Sequence, residues 1–172
     1  MSWFKRTPLV VLLLLTGCGF HPLHGTGGQR SATVPELSAI KINTIADRTG
    51  QMVRNALLDR LTPTGEPQKP RYLLQVTMNE SKQSLGILKD ETSSRANFVL
   101  TASFALIDLK GQTLYSASTS SQASYNILNE HYASTASERN ARDRTTTEVA
   151  DAIYIQLSSY FSRLKSAGGK AP

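Results

Sequence analysis

Hydrophobic positions along this chain switch between two periods, and the switches divide it into elements. Ile40, Ile42 and Ile45 alternate with polar neighbours within residues 39 to 46, the period-2 pattern of a half-buried strand. The spacing then changes: Val53, Leu57 and Leu61 recur every four residues, joined by Ala56 and Leu58, which is the apolar stripe of an amphipathic helix. Asp47 precedes it as an expected N-cap, and the helix is expected to stop near Thr62, because Pro63 disfavours helical geometry in the residue before it. Pro63, Gly65, Pro67 and Pro70 make a turn-rich connector. Alternation returns with Tyr72, Leu74, Val76 and Met78, and again over residues 95 to 108, where Phe98, Leu100, Ala102, Phe104 and Leu106 share one face. A loop holding Leu85, Ile87 and Leu88 is expected between these two strands. Lys110-Gly111 signals a hairpin into a fourth strand, which carries Leu114 and Tyr115 and runs into a Ser/Thr-rich patch over residues 116 to 124. Finally, Val149, Ile153, Leu157, Phe161 and Leu164 form a long helical stripe that starts from Ser134 onward and ends before Gly168-Gly169.

The order strand, helix, three strands, helix predicts an α+β fold with two helices packed on one face of a four-stranded mixed β-sheet (β-α-β-β-β-α). The first strand joins the second through a helix, so a parallel pair is expected there, followed by an antiparallel meander. The uncovered face would mix Gln75, Thr101 and Ser103 with Val99 and Ile107. It reads equally as solvent surface or as a docking surface.

The amino terminus adds an address. Lys5 and Arg6 form a basic n-region and Leu9 to Leu15 a short apolar h-region. That run is too short to span a bilayer, which takes roughly 20 apolar residues. Leu15-Thr16-Gly17-Cys18 resembles the lipobox of bacterial lipoproteins, which implies removal of residues 1–17 and covalent S-diacylglycerol and N-acyl groups on Cys18. Cys18 is the only cysteine, so no internal disulfide is possible in an oxidising compartment, and lipid attachment accounts for the lone thiol. Acyl chains contribute about 0.8 kcal/mol per buried CH₂, enough together to hold a domain on a membrane without a spanning helix. Position 19 is Gly rather than Asp, which among the lipoproteins it resembles favours the outer membrane, with the body on the periplasmic side. Residues 18–38 read as a lipidated terminus and Gly/Pro-rich tether, 39–166 as a single domain, and 167–172 as a flexible C-terminus.

Charge and candidate chemistry narrow the function classes. The formal charge of +6 includes Lys5 and Arg6, so the chain without its signal carries +4. A basic surface suits an acidic ligand or membrane, whereas the export signal and the lack of any dense Lys/Arg run disfavour nucleic acid. His21 and His24 sit in the tether, and no nucleophile elbow, phosphate-cradling glycine loop or CxxC pair is present. No enzymatic activity, cofactor or metal is expected. The basic residues Lys82, Lys89 and Arg95 fall near the connection between the second and third strands. Arg139, Arg142 and Arg144 crowd the ramp into the last helix, with Arg139 and Arg142 expected on one helical face. A solvated charged surface explains such residues. So does a patch that reads phosphates, because guanidinium forks bind them bidentately and apolar Leu85, Ile87 and Leu88 adjoin Lys89.

Taken together, Leu15-Thr16-Gly17-Cys18-Gly19-Phe20-His21-Pro22-Leu23, the strand at residues 40–46 and the segment Asp47-Arg48-Thr49-Gly50-Gln51 leading into Val53-Arg54-Asn55-Ala56-Leu57 resemble the LptE family of lipopolysaccharide-assembly lipoproteins. The resemblance implies a non-enzymatic component of the outer-membrane lipopolysaccharide translocon. Such a component assembles and plugs the LptD β-barrel and binds lipopolysaccharide on its way to the outer leaflet. It implies lipopolysaccharide contacts from basic residues at one end of the domain, for which Lys89, Arg95 and Arg139 are the candidates by chemistry and location. The acidic, Pro-rich tail of some relatives is missing, and Leu23-His24 stands where some carry a basic residue. An auxiliary lipoprotein of a lipid-transporting ABC system is the alternative reading.

Overall fold

A computed structural model describes residues 35–87, 94–128 and 130–168. Strand β1 (Ile40–Ile42) leads into helix α1 (Asp47–Leu61), followed by β2 (Tyr72–Ile87), β3 (Ser94–Asp108), β4 (Thr113–Ile127) and helix α2 (His131–Ser166). The four strands form one sheet in the order β1-β2-β3-β4. β1 pairs parallel to β2, with Ile40 opposite Tyr72 and Ile42 opposite Leu74, and the other pairs are antiparallel. Fold class, strand order and mixed pairing agree with the hydrophobic pattern.

The core lies between the sheet and the two helices. β3 buries Phe98, Leu100, Ala102, Phe104 and Leu106, the alternate residues expected to face inward. α1 contributes Val53, Leu57 and Leu61, and α2 contributes Val149, Ile153, Leu157 and Phe161. Buried side chains of this size each stabilise the fold by about 1.5–3 kcal/mol relative to exposure. A row of aromatic rings ties the C-terminal half of α2 to the sheet: Tyr72 to Phe161 at 5.3 Å, Phe161 to Tyr160 at 5.3 Å, and Tyr160 to Tyr115 at 5.0 Å between centroids.

Four expectations are corrected. Asp47 is not the N-cap: Ala46 holds that position in extended geometry, and Asp47 is the first helical residue with φ of 66°. β2 runs to Ile87, so Leu85 and Ile87 belong to a strand rather than to a loop. The inward positions Glu80 and Lys82 interrupt its apolar alternation, which hides the strand from a periodicity reading. α2 begins at His131, ahead of Ser134, through a polar first half that carries no apolar stripe. Ser134 closes the turn before it, its hydroxyl donating to the Leu128 carbonyl and accepting from the Leu128 N–H, both at 2.7 Å. Residues 35–37, inside the expected tether, form a helical turn with Leu37 buried. Cys18, the signal and the remaining tether lie outside the described residues.

That helical turn is pinned by a buried phenol. The Tyr72 hydroxyl donates to Glu36 Oε2 at 3.1 Å, Arg71 pairs with the same carboxylate, and the Arg71 guanidinium lies 5.6 Å from the Tyr72 ring centroid. Burial first, and then the hydrogen bond to Glu36, push the Tyr72 pKa from 10.0 up to about 12. A raised folded value means the neutral phenol is favoured in the native state. This contribution is therefore fully present below pH 10 and is lost as pH rises through about 12. The thermal midpoint is expected to fall between pH 10 and 12, and Tyr72→Phe should make that fall shallower. An equal alkaline slope in the variant would assign the effect to other groups.

Candidate functional site

The three long strands outrun the part of the sheet that α1 covers, and α2, about 54 Å long at 1.5 Å per residue, runs on over them. The end of β2, the start of β3, the end of β4 and the first half of α2 thus build a far end of the molecule, opposite the Tyr72–Glu36 contact.

Here β2 and α2 bring charge, Glu80, Lys82, Glu138 and Arg142, over the buried Phe98 of β3. Arg142 of α2 places its guanidinium 5.0 Å from the Phe98 ring centroid. The same guanidinium donates to Glu138 at 2.8 Å and stands 3.9 Å from Glu80. Lys82 reaches Glu138 at 2.8 Å. The hydrogen bond from Lys82, and then that from Arg142, hold the Glu138 carboxyl below the usual carboxylate range. Glu138 and Arg142 stand at i and i+4, the one signal of this cluster visible in the sequence. Their partners on β2 are more than fifty residues away in the chain and carry no such signal.

These contacts separate the cations into spent and available ones. Arg142 and Lys82 are committed to the cluster, and Arg144 donates to the Ser124 carbonyl at 3.3 Å. Arg95 and Arg139 are exposed, and neither has a hydrogen bond or ion pair among the described residues. They share the far end but not a face. Arg95 stands opposite Asn126, on the odd positions of β3 that turn away from the helices. Arg139 lies on the outer side of α2, where a surface cavity of about 500 Å³ is lined by His131, Tyr132, Thr135, Arg139 and Asp143 among others. The expectation that Arg139 and Arg142 share a helical face is corrected: Arg142 turns onto the sheet and Arg139 away from it. Lys89 lies outside the described residues.

Apolar side chains missed by the sequence reading accompany these arginines. Ile127 and Leu128 are each 39% exposed and Tyr132 is 84% exposed, grouped where β4 turns into α2. Exposed apolar groups beside unpaired cations suit an amphiphile with acyl chains and anionic headgroups. A second cavity of about 750 Å³ opens where β1 stops, between the turn at Thr44 to Asp47 and the β2 edge at Val76 to Glu80. Among the described residues no group of three or more His, Cys, Asp or Glu side chains is arranged to hold a metal ion. No helix among them is long and apolar enough to cross a membrane.

Comparison with known proteins places this architecture. A solved lipoprotein from Caulobacter crescentus CB15 superposes with a TM-score of 0.61 at 19% identity, covering 78% of this chain and 98% of that one. A minor lipoprotein from Acinetobacter baumannii gives 0.57 at 20% identity, covering 70% and 91%. Lipoprotein B from Nitrosomonas europaea gives 0.53 at 14% identity, covering 77% and 88%. At such identities these likenesses establish the fold. Among curated protein sequences none is similar enough to match. The family model described as LptE, lipopolysaccharide-assembly, matches residues 37–157, from the first buried residue of the body to the last core leucine of α2, and the chain therefore belongs to the LptE family.

Proposed function

We propose that this chain is an outer-membrane lipoprotein, acylated on Cys18, that assembles and plugs an LptD-type β-barrel and binds lipopolysaccharide as it passes to the outer leaflet. The observation that carries the ligand assignment is the far end of the sheet, where exposed Ile127, Leu128 and Tyr132 adjoin Arg95 and Arg139. Membership of a lipopolysaccharide-assembly family supports the assembly role. Arg95 and Arg139 provide guanidinium donors for phosphorylated sugars, and the apolar group accepts acyl chain. Lys89, six residues before Arg95 in the chain, is the third cation of the set. The acyl groups on Cys18 would retain the body at the membrane, since no described helix can do so.

Replacing Lys89, Arg95 and Arg139 together with glutamine is expected to weaken lipopolysaccharide binding about tenfold at low salt, taking about 0.5 kcal/mol for each exposed charge. The loss should shrink as salt rises, because screening already weakens these contacts in the unaltered protein. Wild-type affinity in the triple variant would remove these residues from the ligand surface. Copurification in mild detergent tests the partner separately: a large outer-membrane barrel is expected, and an inner-membrane ATPase complex would replace this reading with the ABC-system one.

A further inference from the structure

The two outer edges of the sheet are protected to very different degrees. Beyond its pairing with β1, β2 carries Glu80 and Lys82, charges of the kind that discourage further strands. β4 has no such guard. Its fifteen residues, Thr113–Ile127, contain no charged side chain, no proline and no glycine, in a chain of net charge +6. The outer side of this strand, about 50 Å long, has no strand beside it among the described residues. The register shows which groups it presents. Tyr72 and Leu74 direct their backbone groups to the β1 side, so residues alternate across β2 and β3 until Ser116, Ser118, Ser120, Gln122 and Ser124 of β4 point N–H and C=O outward. Among these groups, the Ser124 carbonyl is touched by Arg144.

The sequence of this edge reads nearly the same in both directions. About Ser120, Tyr115-Ser116-Ala117 mirrors Ala123-Ser124-Tyr125, and Thr119 mirrors Ser121. An antiparallel partner centred on Ser120 would set Tyr115 against Tyr125, Ser116 against Ser124 and Ala117 against Ala123. In that register the outward residues 116, 118, 120, 122 and 124 become the hydrogen-bonded pairs, giving roughly ten main-chain bonds. The Tyr, Ala and Thr/Ser pairs occupy the closer, non-bonded sites. A twofold contact requires one surface to complement itself, and the side chains of this palindromic edge add no charge of their own to it.

We propose that β4 is a self-pairing edge: two copies of this chain join β4 to β4 about a twofold axis at Ser120, forming a continuous eight-stranded sheet, with Arg144 released from Ser124. This goes beyond the barrel and lipopolysaccharide reading, since it describes the protein apart from that partner.

Single-cysteine additions to the full chain in detergent test the register. Under mild oxidation Ser120→Cys is expected to give a covalent dimer, because facing Cα atoms in a bonded pair lie about 5.5 Å apart, within disulfide reach. Ser116→Cys faces Ser124 in this register and is expected to give no covalent dimer. Cys18 is common to both variants and cannot produce a difference. Ser120→Lys should weaken dimerisation at least tenfold by sedimentation, with circular dichroism unchanged. Ser103→Lys, an exposed position on the inner strand β3, should not. A single-chain mass for the wild type at all concentrations, equal cross-linking at 116 and 120, or capture of another protein at position 120 would each overturn the proposal.

Discussion

Truncating Phe98 to alanine is expected to cost about 3–5 kcal/mol, the usual range for removing a buried aromatic ring. That is a large fraction of the roughly 5–15 kcal/mol that stabilises a domain. Phe98 is fully buried, sits opposite Lys82 on β2 and Ala123 on β4, and underlies the Arg142 guanidinium. Neither strand neighbour can fill the space: one is a charged side chain drawn to Glu138 and the other a methyl group. The loss should appear as a lower midpoint in urea with an unchanged slope. Phe98→Leu is expected to recover most of the packing but not the attraction of Arg142 for the ring. A double-mutant cycle of Phe98→Leu with Arg142→Met should therefore show coupling of about 0.5–2 kcal/mol. Strict additivity would mean that Arg142 is held by Glu138 and Glu80 alone.

The second expectation runs against helix propensity. Gly50 lies in the first turn of α1, where replacing glycine with alanine ordinarily gains about 1 kcal/mol. Here a Cβ would stand 2.8 Å from Ile45 Cγ2 and 3.0 and 3.1 Å from the Ile45 carbonyl carbon and oxygen. Ile45 is buried and branched at Cβ, so it cannot swing aside, and its backbone belongs to the turn that carries the chain from β1 into α1. The clash outweighs the propensity gain. Gly50→Ala should destabilise by about 1–3 kcal/mol, the range for overpacking a tight site, and Gly50→Val by more. A thermal midpoint at or above wild type for Gly50→Ala would show that the turn can move. The Thr49-Gly50 pair that marked the family in the sequence thus has a packing reason: both residues are buried under this turn.

Legibility followed the range of the interactions. The inward face of β3 was readable because Phe98, Leu100, Ala102, Phe104 and Leu106 repeat at the period of the pleat, a local property. α1 was readable from its four-residue spacing for the same reason. The far half of β2 was not, because Glu80 and Lys82 occupy inward positions that an apolar pattern cannot mark. The polar first half of α2 was hidden likewise.

The chain by itself determined the element order, the faces that turn inward and the family, since each depends on residue identity and short spacing. Only the tertiary structure decided which cations are spoken for. Glu138 and Arg142 meet Lys82, Glu80 and Phe98 across long sequence separations, and that neutralises two cations while Arg95 and Arg139 stay without partners among the described residues. The tertiary structure alone also left β4 at an edge. A palindrome in an inner strand would have nothing to pair with, whereas at the edge its outward backbone groups, the Ser124 carbonyl held by Arg144 apart, face no strand among the described residues.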